Sequence, residues 1–166
     1  MELIGRMMDG SISYGEGGGL EPSSSGLRQD DKIERLEEVA IFHSCSRRQL
    51  RHIARIADVF DAPAGTVLAR TGEPGDEFFL LLEGTARVEV SPKTKRQLQP
   101  GAYFGEMSLL DGEPRSSTVV AETPLRLLVI NRRNFFTLLA EVPGLTQNLL
   151  ATLSKRVRQA EAGLER

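Results

Sequence analysis

Between Thr66 and Ile130 the chain is a succession of short strand-like segments broken by glycines, and no other feature constrains the fold as much. Thr66–Arg70, Glu77–Leu82, Ala86–Val90, Thr118–Ala121 and Leu125–Ile130 read as strands, punctuated by Gly65, Gly72, Gly75, Gly84 and Gly101. Ala86-Arg87-Val88-Glu89-Val90 alternates cleanly, which directs Val88 and Val90 to a core, whereas Glu77–Leu82 is apolar on both faces. Short strands with regular glycine turns predict a compact antiparallel roll or barrel.

Helical patterns flank this region. From Asp30 onward Ile33, Leu36 and Ala40 line one face. A second helix is expected to begin at Ser46, which with Gln49 three residues later makes a capping box. Leu50, Ile53, Ala54 and Ala57 form its apolar stripe. After the strands, Asn131 is an N-cap for a helix that buries Phe135, Phe136, Leu138 and Leu139. Pro143-Gly144 breaks it, and a last helix from about Leu145 carries the stripe Leu149, Leu153, Val157 and Leu164. The expected fold is mainly β, an antiparallel, jelly-roll-like β-roll with N-terminal helices and C-terminal helices. Residues 1–29 are rich in Gly and Ser and are expected to form a disordered tail, which leaves residues 30–166 as the folded domain.

Composition excludes several functions. A 166-residue chain of net charge -2 has no overall attraction to a polyanion, so no nucleic-acid partner is expected. The single cysteine, Cys45, has no partner for an internal disulfide, and a reducing compartment is the default. No long apolar run suits a membrane, and Met1-Glu2-Leu3-Ile4-Gly5-Arg6 lacks the blocks of a signal peptide. The expected location is cytoplasmic. His43 and His52 lie in the helical front segment and none falls in the strands, so no metal site is expected. Cys45 has only His43 near it in sequence and is not expected to be reactive. No catalytic constellation is evident, and no enzymatic activity is expected.

The chemistry concentrates in Phe104-Gly105-Glu106-Met107-Ser108-Leu109-Leu110-Asp111-Gly112-Glu113-Pro114-Arg115-Ser116-Ser117-Thr118-Val119. An acid, Glu106, and an arginine, Arg115, stand at either end of a loop shaped by Gly and Pro. The carboxylate can accept from a sugar hydroxyl, and the guanidinium offers a planar donor fork to a phosphate. Gly105 permits close backbone approach, and Glu106–Leu110 can form one helical turn whose N–H groups add donors. Gly112 and Pro114 shape the return that aims Arg115 at the same pocket. A ligand with both a sugar and a phosphate is implied.

This stretch, with the roll before it and helices after it, resembles the phosphate-binding cassette of cyclic nucleotide-binding domains, the family of protein kinase A regulatory subunits, catabolite activator proteins and cyclic nucleotide-gated channels. Gly65, Gly72, Gly75, Phe78 and Gly84 sit where that family's β-roll glycines and aromatic would, and the resemblance covers roughly residues 36–157. It implies that Glu106 accepts from the ribose 2′-hydroxyl and Arg115 pairs with the cyclic phosphate. Phe104, Gly105, Met107 and Ser108 would lie near the sugar-phosphate, and Ser116 and Ser117 would line the phosphate and base side. In the family the last helix can fold over the base, which brings Arg156 within reach of the ligand. Ser116 departs from both the small apolar residue that accompanies cAMP and the threonine that favours cGMP; cAMP is the expected ligand, with cGMP next, and no further cofactor is expected. The implied mechanism is a lid, in which the helices from Asn131 onward repack over the base. With no helix-turn-helix pattern after the last helix, the chain reads as a stand-alone sensor domain acting on an effector protein, with a homodimer through the last helix as a further expectation. A protein-interaction module of the same fold that binds no nucleotide is the alternative.

Overall fold

The computed structural model describes residues 20–23 and 27–164. After a two-residue strand β1 (Glu21–Pro22), helix α1 (Gln29–Glu37), a 3-10 turn (Ala40–Phe42) and helix α2 (Arg47–Ile56) lead into the β region. Strands β2 (Asp58–Ala62), β3 (Val67–Ala69), β4 (Glu77–Glu83), β5 (Ala86–Ser91), β6 (Thr94–Leu98) and β7 (Tyr103–Phe104) follow, then the short helix α3 (Glu106–Asp111). Strands β8 (Thr118–Ala121) and β9 (Leu125–Asn131) and helices α4 (Arg132–Glu141) and α5 (Pro143–Leu164) complete the chain.

The strands make two antiparallel sheets, in the orders β1-β2-β9-β4-β7 and β3-β8-β5-β6. Side chains of a strand alternate between its faces, and β4 uses both. Phe79 and Leu81 turn into the roll, where they join Phe60, Leu68, Val88, Phe104, Val119, Leu127 and Val129. Phe78, Leu80 and Leu82 turn the other way, onto a helical layer built from Ile33, Leu36, Leu50, Ile53, Phe135, Leu138, Leu145 and Leu149. That is why this strand is apolar without a period. Phe78 and Phe79 are 2% and 0% exposed, and each such burial is worth roughly 1.5–3 kcal/mol.

The helix ends follow their local chemistry. Ser46 accepts from the Gln49 amide at 3.1 Å while the Gln49 side chain accepts from the Ser46 amide at 2.8 Å, so the expected capping box forms. Asn131 caps α4 by accepting from Asn134 at 2.9 Å. Pro143 opens α5 at the helix start, where a missing N–H costs nothing.

Several expectations need correction. Leu20 is fully buried against the roll and Glu21–Pro22 pairs with β2, so the tail reading fails there; pairing supplies what composition lacks. Gln29 already belongs to α1. The rest of the proposed tail, residues 1–19 and 24–26, lies outside the described residues. Ala40 is exposed because α1 stops at Glu37 and Val39 takes the buried place. Val90 is 60% exposed, since β5 runs past the core at its end. Phe136 is 41% exposed on the outer side of α4. The α5 stripe is covered at Leu149 and partly at Leu153, while Val157 and Leu164 are exposed because α5 extends beyond the helical layer. Strands β2, β6 and β7 escaped the sequence pattern: β6 is polar throughout except Leu98 and exists by pairing with β5.

Candidate functional site

Strand β7 delivers the chain to Gly105, and Phe104 anchors it by stacking on Phe79 at 4.8 Å between centroids. Gly105 has φ +94°, and a Cβ there would strike the carbonyl oxygen of Glu77. Only glycine suits both demands. The chain then enters α3, whose first residue is Glu106.

Glu106 is 2% exposed, and its carboxylate accepts from Arg156 Nη1 of α5 at 2.5 Å. The Arg156 guanidinium also sits over the Tyr103 ring, 5.8 Å from its centroid. Burial pushes the Tyr103 phenol up; the nearby Glu106 charge adds to this, and the neighbouring Thr152 hydroxyl and the Arg156 charge oppose it.

Arg115 is 7% exposed and is tied to the loop before β4. Its amide donates to the Glu73 carbonyl at 2.8 Å and its carbonyl accepts from Gly72 at 2.9 Å. Nη1 donates to the Gly105 carbonyl and Nη2 to the Glu77 carbonyl, each at 3.0 Å, and Nη2 lies 3.5 Å from the buried Glu77 carboxylate. Gly75 lies flat against the guanidinium, so that any Cβ at that position would overlap it. The guanidinium also faces the Phe79 ring at 5.8 Å. Glu106 and Arg115 are therefore not an ion pair with each other: each meets a different partner, and both remain beside one cavity.

That cavity, of about 190 Å³, brings together every residue that the sequence singled out. Phe104, Gly105, Glu106, Met107 and Ser108 form one wall, Arg115, Ser116 and Ser117 a second, and Arg156 reaches in from α5. The rest of the lining is the apolar Ala69, Val88, Val90 and Val119 of β3, β5 and β8, together with Arg96 of β6. Charged and hydroxyl groups combined with apolar strand atoms in one lining suit an amphipathic ligand with an anionic group.

Sequence reasoning missed Tyr103, Arg96, Glu77 and Arg132. Arg132, the first residue of α4, donates to Asp76 Oδ1 at 3.0 Å, to the Leu109 and Ser108 carbonyls at 3.1 and 3.3 Å, and to the Gly75 carbonyl at 3.2 Å. One guanidinium thus holds the end of α3 to the loop that cradles Arg115. Nothing in Asn131-Arg132-Arg133 tells which arginine does this; Tyr103, next to the cassette, had a signal in its position. Among the described residues no group of His, Cys, Asp and Glu is arranged to hold a metal ion, and no helix is long and apolar enough to cross a membrane.

The profile of the cyclic nucleotide-binding domain family matches residues 59–142. A cyclic nucleotide-gated potassium channel of Mesorhizobium japonicum is 36% identical over 133 residues, which are 78% of this chain and 37% of the channel. A cAMP-dependent protein kinase regulatory subunit of Emericella nidulans is 35% identical over 112 residues, 66% of this chain and 27% of that subunit. The chain thus spans little more than a third, or less, of these relatives. Among solved structures, the Thermus thermophilus catabolite activator protein superposes with a TM-score of 0.69 at 29% identity, covering 75% of this chain and 61% of that one. Two antiparallel sheets with flanking helices, a Gly-Glu turn followed by a buried arginine, and a profile match across half of the sequence lead to one conclusion: the chain belongs to the cyclic nucleotide-binding domain family.

Proposed function

We propose that this chain is a non-catalytic sensor that binds cAMP, with cGMP as the weaker ligand and no other cofactor. The observation that carries the reading is the placement of Glu106 and Arg115 on one 190 Å³ cavity, an acceptor and a donor fork set by a single short segment. Arg115 takes the cyclic phosphate, Glu106 the ribose 2′-hydroxyl, and Ser116 and Ser117 the phosphate and base side. Phe104, Gly105, Met107 and Ser108 complete the sugar-phosphate wall. Val88, Val90 and Val119 offer the base an apolar surface. The name of the fungal relative, a cAMP-dependent regulatory subunit, supports cAMP.

In this reading α4 and α5 are the lid. Arg156 already reaches Glu106 from α5, so ribose and lid address the same carboxylate. A ligand shifts the helices only as far as it binds one arrangement better than the other. The signalling unit comprises residues 30–166, to which Leu20–Ser23 add a strand. Its output passes to an effector protein or to a second copy through the exposed Val157 and Leu164 of α5.

Isothermal titration of the full chain with cAMP, cGMP and unrelated nucleotides tests the reading. Saturable one-site binding of cAMP, tighter than of cGMP, is expected. Absence of heat and of any thermal shift with every nucleotide would assign the fold to protein interaction alone.

A further inference from the structure

We propose that helices α1 and α2 form a self-complementary face on which a second copy of this chain seats. The inference starts from an electrostatic mismatch. Helix α2, Arg47-Arg48-Gln49-Leu50-Arg51-His52-Ile53-Ala54-Arg55-Ile56, carries four arginines and no acid, in a chain of net charge -2. Two of those arginines occupy its first turn, where the helix dipole favours acids. Helix α1 does the opposite and places Asp30 and Asp31 in its first turn and Arg35 in its last. Like charges three and four residues apart also repel along a helix. Arg55, in the last turn, suits the dipole, but the two first-turn arginines and the repulsion along the helix do not, and an anionic partner would relieve both.

Arg47 and His52 are accounted for, through Glu37 at 3.0 Å and Glu141 at 2.9 Å. Arg48, Arg51 and Arg55 are exposed on the side opposite the buried Leu50, Ile53 and Ala54, and among the described residues none of them has an ion pair. Their counterparts lie on α1 and its C-cap residue, Glu38. Asp31, Glu34 and Glu38 are exposed opposite the buried Ile33 and Leu36, again with no ion pair among the described residues. Both triads follow the spacing i, i+3 or i+4, i+7, and so span about 10 Å of helix.

The register matches as well. Within the chain, Gln29 donates to the Arg51 carbonyl, Lys32 to the Ala54 and Ala57 carbonyls, and Arg47 meets Glu37, so α1 and α2 run antiparallel side by side. A two-fold axis parallel to the helices, outside their exposed face and level with the line between them, lays α1 of each copy on α2 of the other. Asp31 then faces Arg55, Glu34 faces Arg51 and Glu38 faces Arg48, and every pair occurs twice. Neither helix carries an exposed large hydrophobic residue; those lie at Val90, Met107, Leu110, Phe136, Leu150, Val157 and Leu164. The association is charge-driven, weak and sensitive to salt, which separates it from apolar pairing through α5.

Sedimentation velocity of the full chain tests this without any nucleotide. Self-association is expected at about 0.01 M salt, where the screening length is about 30 Å, and a monomer at about 1 M, where it is about 3 Å. Arg48→Glu with Arg51→Glu should be monomeric at low salt, as should Glu34→Arg with Glu38→Arg. An equimolar mixture of the two variants should restore the dimer. Should a reversed variant lose its melting transition, Arg48→Gln with Arg51→Gln serves instead, with a weakened dimer expected. A parent that stays monomeric at low salt overturns the proposal, and so does association that survives 1 M salt or both reversals. Binding of a monomeric parent to phosphatidylserine vesicles, lost in Arg48→Glu with Arg51→Glu, would also overturn it and give the face to lipid.

Discussion

Glu106 and Arg156, fifty residues apart in sequence, meet at 2.5 Å in the lining of the cavity. The carboxylate is almost wholly buried, while the arginine is about one-third exposed. Arg156→Ala would leave a buried acid without its cation, at a cost of about 1–3 kcal/mol. Urea unfolding should show this loss, and Glu106→Gln with Arg156→Ala together should lose less than the sum of the two. Strict additivity would mean that the pair contributes nothing.

Arg115→Ala should weaken cAMP binding by roughly 2–5 kcal/mol, the cost of stripping a buried charge of its partner. Isothermal titration checks it, and equal affinity in variant and parent would remove Arg115 from the phosphate. Arg115→Lys keeps the charge but lacks the fork, and should fall between the two.

Two glycines should refuse a side chain, each for its own reason. At Gly75 an added Cβ would overlap the Arg115 side chain, which is buried and held by the Gly105 and Glu77 carbonyls and the Glu77 carboxylate. Gly75→Ala should therefore displace Arg115 from its buried partners and lower both ligand affinity and melting temperature. At Gly105 the obstacle is the Glu77 carbonyl, and φ is +94° as well. Gly105→Ala should lower both affinity and melting temperature.

Arg132→Ala cuts the tie between α3, the Gly75–Asp76 loop and the start of α4. Ligand affinity should fall, and hydrogen exchange should quicken in residues 106–111. Arg132→Lys, with one ammonium in place of a fork, should not restore it. Unchanged exchange in α3 would reduce the tie to a surface contact.

Tyr103 gives a pH signature. Its phenol is raised above the ordinary value near 10, chiefly by burial. The unfolded phenol therefore ionises first, and the stabilisation is complete below about pH 10 and lost as pH rises through the folded value. Tyr103→Phe should flatten that part of an alkaline denaturation curve; an unchanged curve would place the loss elsewhere.

The roll and the cassette were legible because their signals are local. Ser46 and Gln49 cap a helix by themselves, and Gly105-Glu106 needs no distant residue to form its turn. What escaped depends on partners far along the chain. Thr94–Leu98 is a strand only because Ala86–Ser91 lies beside it. Leu20 is buried only because the roll is there to receive it. The partner of Glu106 is Arg156 rather than Arg115, and such a choice between two arginines is made by packing, not by spacing. Val90 obeyed its alternation yet faces the cavity, since period fixes which face a residue takes and not how far the core extends.

Strand β4 has a consequence for how such a chain tolerates change in length. Phe78 belongs to the helical layer and Phe79 to the roll beneath the cassette, so adjacent residues serve opposite compartments. A single insertion or deletion within Glu77–Glu83 would exchange the two sets wholesale, and neither core has room for the other's side chains. The β5–β6 turn between Ser91 and Thr94, by contrast, is exposed and belongs to neither core. Natural variation and engineered insertions, reporters included, belong at that turn, and the seven residues of β4 are the ruler against which the rest of the fold is set.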